Sequence, residues 1–406
     1  MWTRSCVAVA LLAMGAPAAA QPPLSEADAL ARLSTDSPRV RVIRAAVDLA
    51  RADVLDAGRQ SNPRVTFNRE SVAGVSENIL TFAQALPITG RRALEVGAAT
   101  ALIEASARRA DDAVRRARAE LRGAFADLAA VQVREEALTR ARDRLRDFTQ
   151  VLAKREAAGE AAGYDRLRAE REAMDLDVEW AAARADRLRA QSVLAGFFAS
   201  PGDVTQIIVA ATADQPRLPL PSVEDLLARA RSTVGEPAAL RQEVESAHLA
   251  ERAADRRQVP EPELIIGTKS SSLAGASPGG VIGIHAIIPL FDRGEPERAK
   301  ARARVVQAEA RAAAFEASLV AETSALRSLV IDRRETADRY RSTAVAGSAE
   351  LERIAQVSYD AGERGILELL DAYRSGAAAR VRQAALDAAA RHAEIDLELV
   401  SGWEIQ

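Results

Sequence analysis

The chain has 406 residues, a formal net charge of −3 and 28% charged residues, yet aromatic side chains make up only 4% of it. A globular core of this size draws on more Phe, Tyr and Trp, so a composition dominated by Ala, Arg, Glu and Leu indicates long helices packed through small residues. Both signs of charge are mixed along the chain, which excludes a basic nucleic-acid surface.

Residues 1–20 read as a secretory leader. Arg4 supplies the positive start, Val7 to Met14 the short apolar run, and Ala18-Ala19-Ala20 before Gln21 the small-residue cleavage site. Cys6 is the single cysteine and lies inside the leader, too far from the cleavage site to become an acylated first residue. The mature chain is therefore expected to hold no thiol, disulfide or lipid-bearing cysteine. No later stretch offers about 18 consecutive apolar residues, so no transmembrane helix is expected; a β-barrel stays open as a route into a membrane.

After the leader the sequence repeats itself with a period near 200 residues. Leu30-Ala31-Arg32 recurs as Leu227-Ala228-Arg229, Pro38 as Pro237, Asn62-Pro63 as Glu261-Pro262, Pro87 as Pro289, and Ala158-Gly159-Glu160 as Ala361-Gly362-Glu363, in the same order. A period this long is not that of a small-repeat solenoid.

In chain order, residues 21–62 are expected to be N-terminal helices, with a helical stretch over 38–60 that proline closes. Residues 63–90 form a first β-hairpin from runs at Val65–Ser71 and Asn78–Ile88, turning at Gly74-Val75-Ser76-Glu77. Val65 and Phe67 share one side with Thr66 and Asn68 opposite, and Leu80, Phe82 and Leu86 share a side. Residues 91–200 form a first long helical hairpin. Arg91 to Ala157 holds no proline, and Val114, Leu121 and Leu128 fall on one heptad position while Ala117, Ala124, Val131, Leu138, Leu145 and Leu152 fall on its partner. Such a rod is about 100 Å long. Gly159 and Gly163 bracket a break, after which Leu167, Met174, Ala181, Leu188 and Ala195 recur every seven residues.

The proline-rich segment 201–223 separates the repeats and is read as a short strand or an outer collar. Residues 224–258 repeat the N-terminal helices. Residues 259–292 repeat the hairpin, with runs at Leu264–Ser270 and Val281–Ile288, and residues 293–401 repeat the helical hairpin with a break at Gly362 and Gly365 before a short tail, 402–406. The fold class is mainly α with a small β part: long antiparallel helical hairpins and four strands per chain.

Four strands cannot close a barrel, for which about eight are needed, and an open sheet with an apolar face would leave two edges bare. Closure between copies follows. Two copies give eight strands and little lumen, three give twelve, and the trimer is preferred. Long hairpins with small-residue seams can pack side by side into a hollow α-barrel continuous with the 12-stranded transmembrane β-barrel.

The motifs support this reading. Asn62-Pro63, Gln84-Ala85-Leu86-Pro87-Ile88-Thr89-Gly90-Arg91-Arg92, Pro289-Leu290-Phe291-Asp292-Arg293-Gly294, and Tyr359-Asp360-Ala361-Gly362-Glu363 with Leu369-Leu370-Asp371-Ala372 together resemble the TolC-like outer-membrane efflux proteins over nearly the whole mature chain. The Gln-x-x-Pro-x-x-Gly-Arg-Arg segment is similar to the heavy-metal-efflux branch; the chain departs from branches that carry an acylated N-terminal cysteine. The resemblance implies a homotrimer with a twelve-stranded barrel in outer-membrane lipid and a twelve-helix periplasmic tunnel. It also implies partnership with a periplasmic adaptor (membrane fusion) protein and an inner-membrane pump, and passive conduction of solutes such as metal cations or drugs. The helical tips that meet the adaptor correspond to Gly159–Asp165 and Gly362–Asp371, in particular Gly159, Glu160, Gly362 and Glu363. Acidic residues ringing the narrowest point correspond to Glu368 and Asp371, and such a ring favours cations.

No enzyme, cofactor or metal site is expected. His248, His285 and His392 do not pair at metal-ligand spacing. Asp111-Asp112 and Glu135-Glu136 are adjacent and so do not face one site on a helix. The glycine-rich run from Gly275 to Gly283 lacks a phosphate-loop lysine. Two other readings stay open at this level: a type I secretion duct for proteins, and a periplasmic coiled-coil scaffold without a pore.

Overall fold

The computed structural model describes residues 22–33, 35–159, 163–200, 202–210 and 219–404. The leader, Glu160 and residues 211–218 of the inter-repeat segment lie outside this set. Two short helices open the chain, α1 (Glu26–Arg32) and α2 (Pro38–Ala57), each started by a serine whose hydroxyl accepts a backbone N–H: Ser25 from Asp28 and Ser37 from Val40. Strands β1 (Arg64–Val72) and β2 (Val75–Ala85) follow, then α3 (Arg91–Ala157) and α4 (Gly163–Ala195). The second half repeats the order as α5 (Val223–Thr233), α6 (Gly235–Arg256), β3 (Glu263–Ser271), β4 (Gly279–His285), α7 (Glu295–Tyr340), α8 (Ala346–Asp360) and α9 (Ile366–Ser401).

The internal repeat is visible in the backbone. Gly90 and Gly294 hold φ of 71° and 72° at the starts of α3 and α7, and Gly159 and Gly362 hold 76° and 74° just beyond α3 and α8. Four glycines thus occupy left-handed conformations that side chains resist, at matching points of the two halves. The halves differ in one respect. α3 runs unbroken for 67 residues, whereas α7 and α8 are joined by a five-residue π-turn, Arg341–Val345. Beside it the buried Gln383 donates to the Ala337 carbonyl at 3.2 Å and to Asp387 at 2.9 Å, and Arg341 reaches Asp387 at 2.6 Å.

The heptad reading of α3 holds where it was densest: Leu121, Leu128, Leu138, Leu145 and Leu152 are each no more than 2% exposed. Leu138, Leu145 and Leu152 pack on Ala169, Ala173, Leu176 and Ala183 of α4 and on Ile366 and Leu370 of α9. The seven-residue series of α4 is not a buried seam. Leu167, Met174, Ala181 and Leu188 lie on the exposed side, and only Ala195 of that series is buried. The periodicity was real, but it marks a stripe that the chain does not cover itself.

Strand limits also differ from the sequence reading. The first hairpin turns at Ala73-Gly74, both at positive φ (53° and 85°), a two-residue turn whose twist suits antiparallel strands; Val75 to Glu77 are already in β2. At the other end the strands stop at Ala85 and His285 rather than reaching Ile88 and Ile288. Beyond those ends the chain turns at a proline in each repeat. Leu86 and Ile88 close a three-residue turn around Pro87 (Ile88 N–H to Leu86 O, 2.9 Å), and Ile288 and Leu290 do the same around Pro289 at 2.9 Å, a conformation that the fixed φ of proline favours over a continued ladder. The inter-repeat segment forms one parallel bridge, Leu24 to Val209, clamped by Gln132, which both donates to and accepts from the Val209 backbone at 3.0 Å.

The helices form a wall. In its part near the sheet, α2 packs on α3, α3 on α6 and α6 on α7; toward the helical tips α4 packs on α3, α3 on α9 and α9 on α8. A network of charges fixes the wall's middle: Glu26 of α1 meets Arg122 and Arg391, Arg122 also meets Glu398, and Arg391 and Arg334 both hold Glu394. Leu145→Ala is expected to cost about 2–5 kcal/mol, the usual loss for truncating a buried leucine; denaturant titration of the purified protein checks it, and a loss below about 1 kcal/mol would contradict the packing described.

Candidate pore surface and helical tips

The sheet is antiparallel in the order β1-β2-β3-β4, so β1 and β4 are its free edges and the two hairpins meet along β2 and β3. Its register separates two faces. On one, Val65, Phe82, Ile266 and Ile282 stand side by side across all four strands; Gln84, Leu264 and Ile284 form the row below, and Phe67, Leu80, Thr268 and Gly280 the row above. The large apolar residues of these rows are exposed. On the other face stand Thr66, Thr81 and Asn68 with Ile79, Ile265 and Val281, together with Glu77 paired to Lys269 at 2.7 Å and Glu263 near Arg64 (3.4 Å) and His285 (3.7 Å). Residues of this second face are half-buried along β2 and β3, as on the inside of a curved sheet. An isolated sheet with its apolar side turned outward is stable only against an apolar medium or partner.

At the far end of the helices lie the two turns. Gly159 N–H bonds to Glu156 O at 2.9 Å, and Gly362 N–H to Tyr359 O at 3.0 Å, with Glu363 N–H on Ser358 O at 2.9 Å. The left-handed glycine lets each helix reverse within a few residues. Gly159, Gly362 and Glu363 are exposed at these turns; Glu160 falls outside the described residues. Glu368 and Asp371 lie in the first two turns of α9, three apart and so on one side of the helix, both exposed, while Ile366, Leu369 and Leu370 on the opposite side enter the core.

The sequence reading missed the packing just behind the tips. Phe148 of α3 meets Tyr359 of α8 edge-on at 5.5 Å and Tyr373 of α9 at 6.4 Å, and the Tyr373 hydroxyl bonds Gln356. Burial, then the carboxylate of Asp165 to which it is hydrogen-bonded, holds the Tyr359 phenol above its ordinary value. A step deeper the buried Glu352 takes Arg144 and, at 3.2 Å, Arg380. Gly376 makes room for it: a Cβ there would stand 2.0 Å from the Glu352 carboxylate. These residues are scattered over more than 200 positions, and only Gly376, a lone glycine in an alanine-rich helix, carried a signal.

Known proteins can be set against this geometry. No protein-family profile matches the chain. A crystal structure of a membrane protein from Pseudomonas aeruginosa superposes with a TM-score of 0.79 at 20% identity, covering 93% of each chain. The outer membrane channel CmeC of Campylobacter jejuni superposes with a TM-score of 0.77 at 14% identity, covering 93% of this chain and 85% of that one. The chain has a TolC-like channel fold. In sequence, the cobalt-zinc-cadmium resistance protein CzcC of Cupriavidus metallidurans is 24% identical over 265 residues, and the match spans 65% of this chain and 62% of that relative. On this TolC-like fold the four-stranded sheet and the helical tips are opposite ends of one chain.

Among the described residues no group of His, Cys, Asp and Glu could hold a metal ion, and no helix is long and apolar enough to cross a membrane. Of the histidines, His392 of α9 has a defined role. Its Nε2 lies 2.7 Å from Asp127 of α3, and Gly123 leaves space for the ring, with an added Cβ at 3.1 Å. The hydrogen bond to Asp127 raises the His392 pKa above its ordinary value against the opposing effect of burial, and Asp127 and Asp396 add attraction. A raised value means that this pair stabilises the fold fully below the unfolded pKa of about 6.5 and loses its contribution as pH rises through the higher folded value. Asp127→Asn is therefore expected to lower the His392 titration midpoint seen by NMR; an unchanged midpoint would show that the pair is not formed.

Proposed function

We propose that the chain is the outer-membrane channel component of a tripartite efflux system, a homotrimer that passively conducts solutes from periplasm to exterior. The observation that supports it best is the sheet: four strands, an exposed apolar face, a more polar face carrying Lys269, Glu77, Arg64 and Glu263, and two free edges. Such a sheet fits lipid on one side and water on the other once copies close it, and three copies give the twelve-stranded barrel that an even-numbered, water-filled pore calls for.

The helical wall ends on the same two sides. β1, α2 and α4 lie on one flank and β4, α7 and α8 on the other. Each flank carries apolar residues that the single chain leaves exposed: Leu167, Met174 and Val178 on α4, and Leu351, Ile354 and Val357 on α8. In a head-to-tail ring these flanks meet, so strand pairing and helix packing close together. Helix α3, about 100 Å long, carries the lumen from the barrel into the periplasm. A periplasmic adaptor and an inner-membrane pump are the partners, with the adaptor at Gly159, Glu160, Gly362 and Glu363. The resistance named in the CzcC relative, to cobalt, zinc and cadmium, favours metal cations among the cargoes.

Glu368 and Asp371 are proposed to form the constriction. Three copies would bring six carboxylates around one axis, a ring that concentrates cations and repels anions. With Glu368→Gln and Asp371→Asn together, cation selectivity in a planar-bilayer recording is expected to fall, and an unaltered reversal potential would remove the assignment. Met174→Glu with Val178→Glu should convert the detergent-solubilised trimer to monomer while the helical circular dichroism persists. A native protein that purifies as a freely soluble monomer and conducts no ions across lipid would overturn the channel reading altogether.

A further inference from the structure

The apolar band on the sheet is too short for a bilayer. Counted along the strands, its outward rows run from the Gln84–Leu264–Ile284 level to the Phe67–Leu80 level. Three rows two residues apart cover ~14 Å of strand, and less along the membrane normal once the strands tilt. An outer-membrane barrel presents an apolar band roughly 25 Å tall. On the hairpin side the rows turn polar at once, with Arg69, Asn78 and Ser270 side by side. The missing height has to come from the opposite end, where the strands give way to the long helices.

That end is apolar in both repeats. Leu86 and Ile88 flank Pro87, and Ile287, Ile288, Leu290 and Phe291 flank Pro289. All six are exposed, and Phe291 is 100% exposed, one of only eight phenylalanines in the chain. The strand ladder continues to Leu86, whose N–H bonds Pro262 O at 2.9 Å, and the proline-centred turns then hold Ile88 and Leu290 in place. The turns are themselves fixed to the helices. Thr89 bonds Glu261 at 2.7 Å, Arg91 bonds Glu261 at 3.0 Å, and Asp292 accepts the Gly294 N–H at 2.9 Å. Beyond them the sequence becomes charged at Arg91-Arg92 and Asp292-Arg293, the change expected at a headgroup boundary.

We infer that the two proline connectors, with Phe291 and Leu290 foremost, are a membrane anchor that completes the lipid-facing band on its periplasmic side. The inference rests on the outer-membrane reading above. It assigns to the connectors a partner, the phospholipid of the inner leaflet, and it places the water boundary at Arg92 and Arg293 instead of at the strand ends.

Cys6 is the only cysteine, so single nitroxide labels can be placed on a Cys6→Ser background. Full-length protein carrying Phe291→Cys, Leu290→Cys, Ile266→Cys or Glu136→Cys is reconstituted in phosphatidylethanolamine–phosphatidylglycerol vesicles, and each label's accessibility to oxygen and to a nickel chelate is read by electron paramagnetic resonance. Labels at 290 and 291 are expected to favour oxygen, at a depth between the mid-sheet label at 266 and the water-exposed label at 136. Labels at 290 and 291 that match position 136, or that are immobile and reached by neither reagent because a second copy covers them, would overturn the anchor while position 266 still reports lipid. A water-like signal at 266 as well would instead defeat the outer-membrane reading itself.

Discussion

Backbone N–H and C=O groups cannot be left unpaired in hydrocarbon, and on the proposed outer-membrane reading this constraint governs the sheet. The sheet leaves one full row of them on β1 and another on β4. In water such edges invite aggregation; in lipid each group would cost several kcal/mol. Four strands are too few to roll up and satisfy one another. In the proposed trimer the exposed apolar face and the bare edges have one solution, in which identical copies supply the missing strands. In that proposal the exposed stripes on α4 and α8, which lie on the same flanks, are covered by the same step.

In a closed assembly of that kind the helical wall would have to match the barrel in circumference, and its composition suits the task. Ala169, Ala173 and Ala183 let α4 lie close to the leucines of α3, and Gly235 lets α6 touch the backbone of α3, where a Cβ would stand 2.2 Å from the Arg108 carbonyl. Few aromatic residues are needed because the wall is thin and has no deep centre. Where aromatics do gather, at Phe148, Tyr359 and Tyr373, they join α3 of the first half to α8 and α9 of the second just behind the tips.

Much of this was legible in the residues. The internal repeat rests on motifs that recur in the same order about 200 residues apart, and the unbroken α3 and its leucine seam rest on strong local periodicity in one continuous element. The alternation in the strands gave the two faces correctly because period two is hard to mistake over several residues. The seven-residue series on α4 shows the limit of spacing: a stripe that the chain leaves exposed has the same period as one buried within it, and sequence does not say which is which. The alternating runs extend past the ladder because apolar residues continue through positions 86–88 and 286–288 up to the proline turns, and alternation alone does not mark where pairing ends. The Glu352 site and the aromatic cluster depend on contacts between distant segments, which spacing along one element cannot reveal.

The π-turn at Arg341–Val345 gives the second half a freedom that the first lacks. A widened turn takes up about one extra residue, so the side chains before and after it are offset by roughly 100° around the axis. α7 packs on both α6 and α9, and α8 beyond the π-turn stays on α9 with its faces reset by that offset. Gln383 adds a second donor to the Ala337 carbonyl, which also accepts the Arg341 N–H. The two repeats are in this way unequal: α3 runs as one uninterrupted helix between its neighbours, whereas its counterpart is divided by the π-turn, so the proposed tube would be ribbed alternately by one kind and the other.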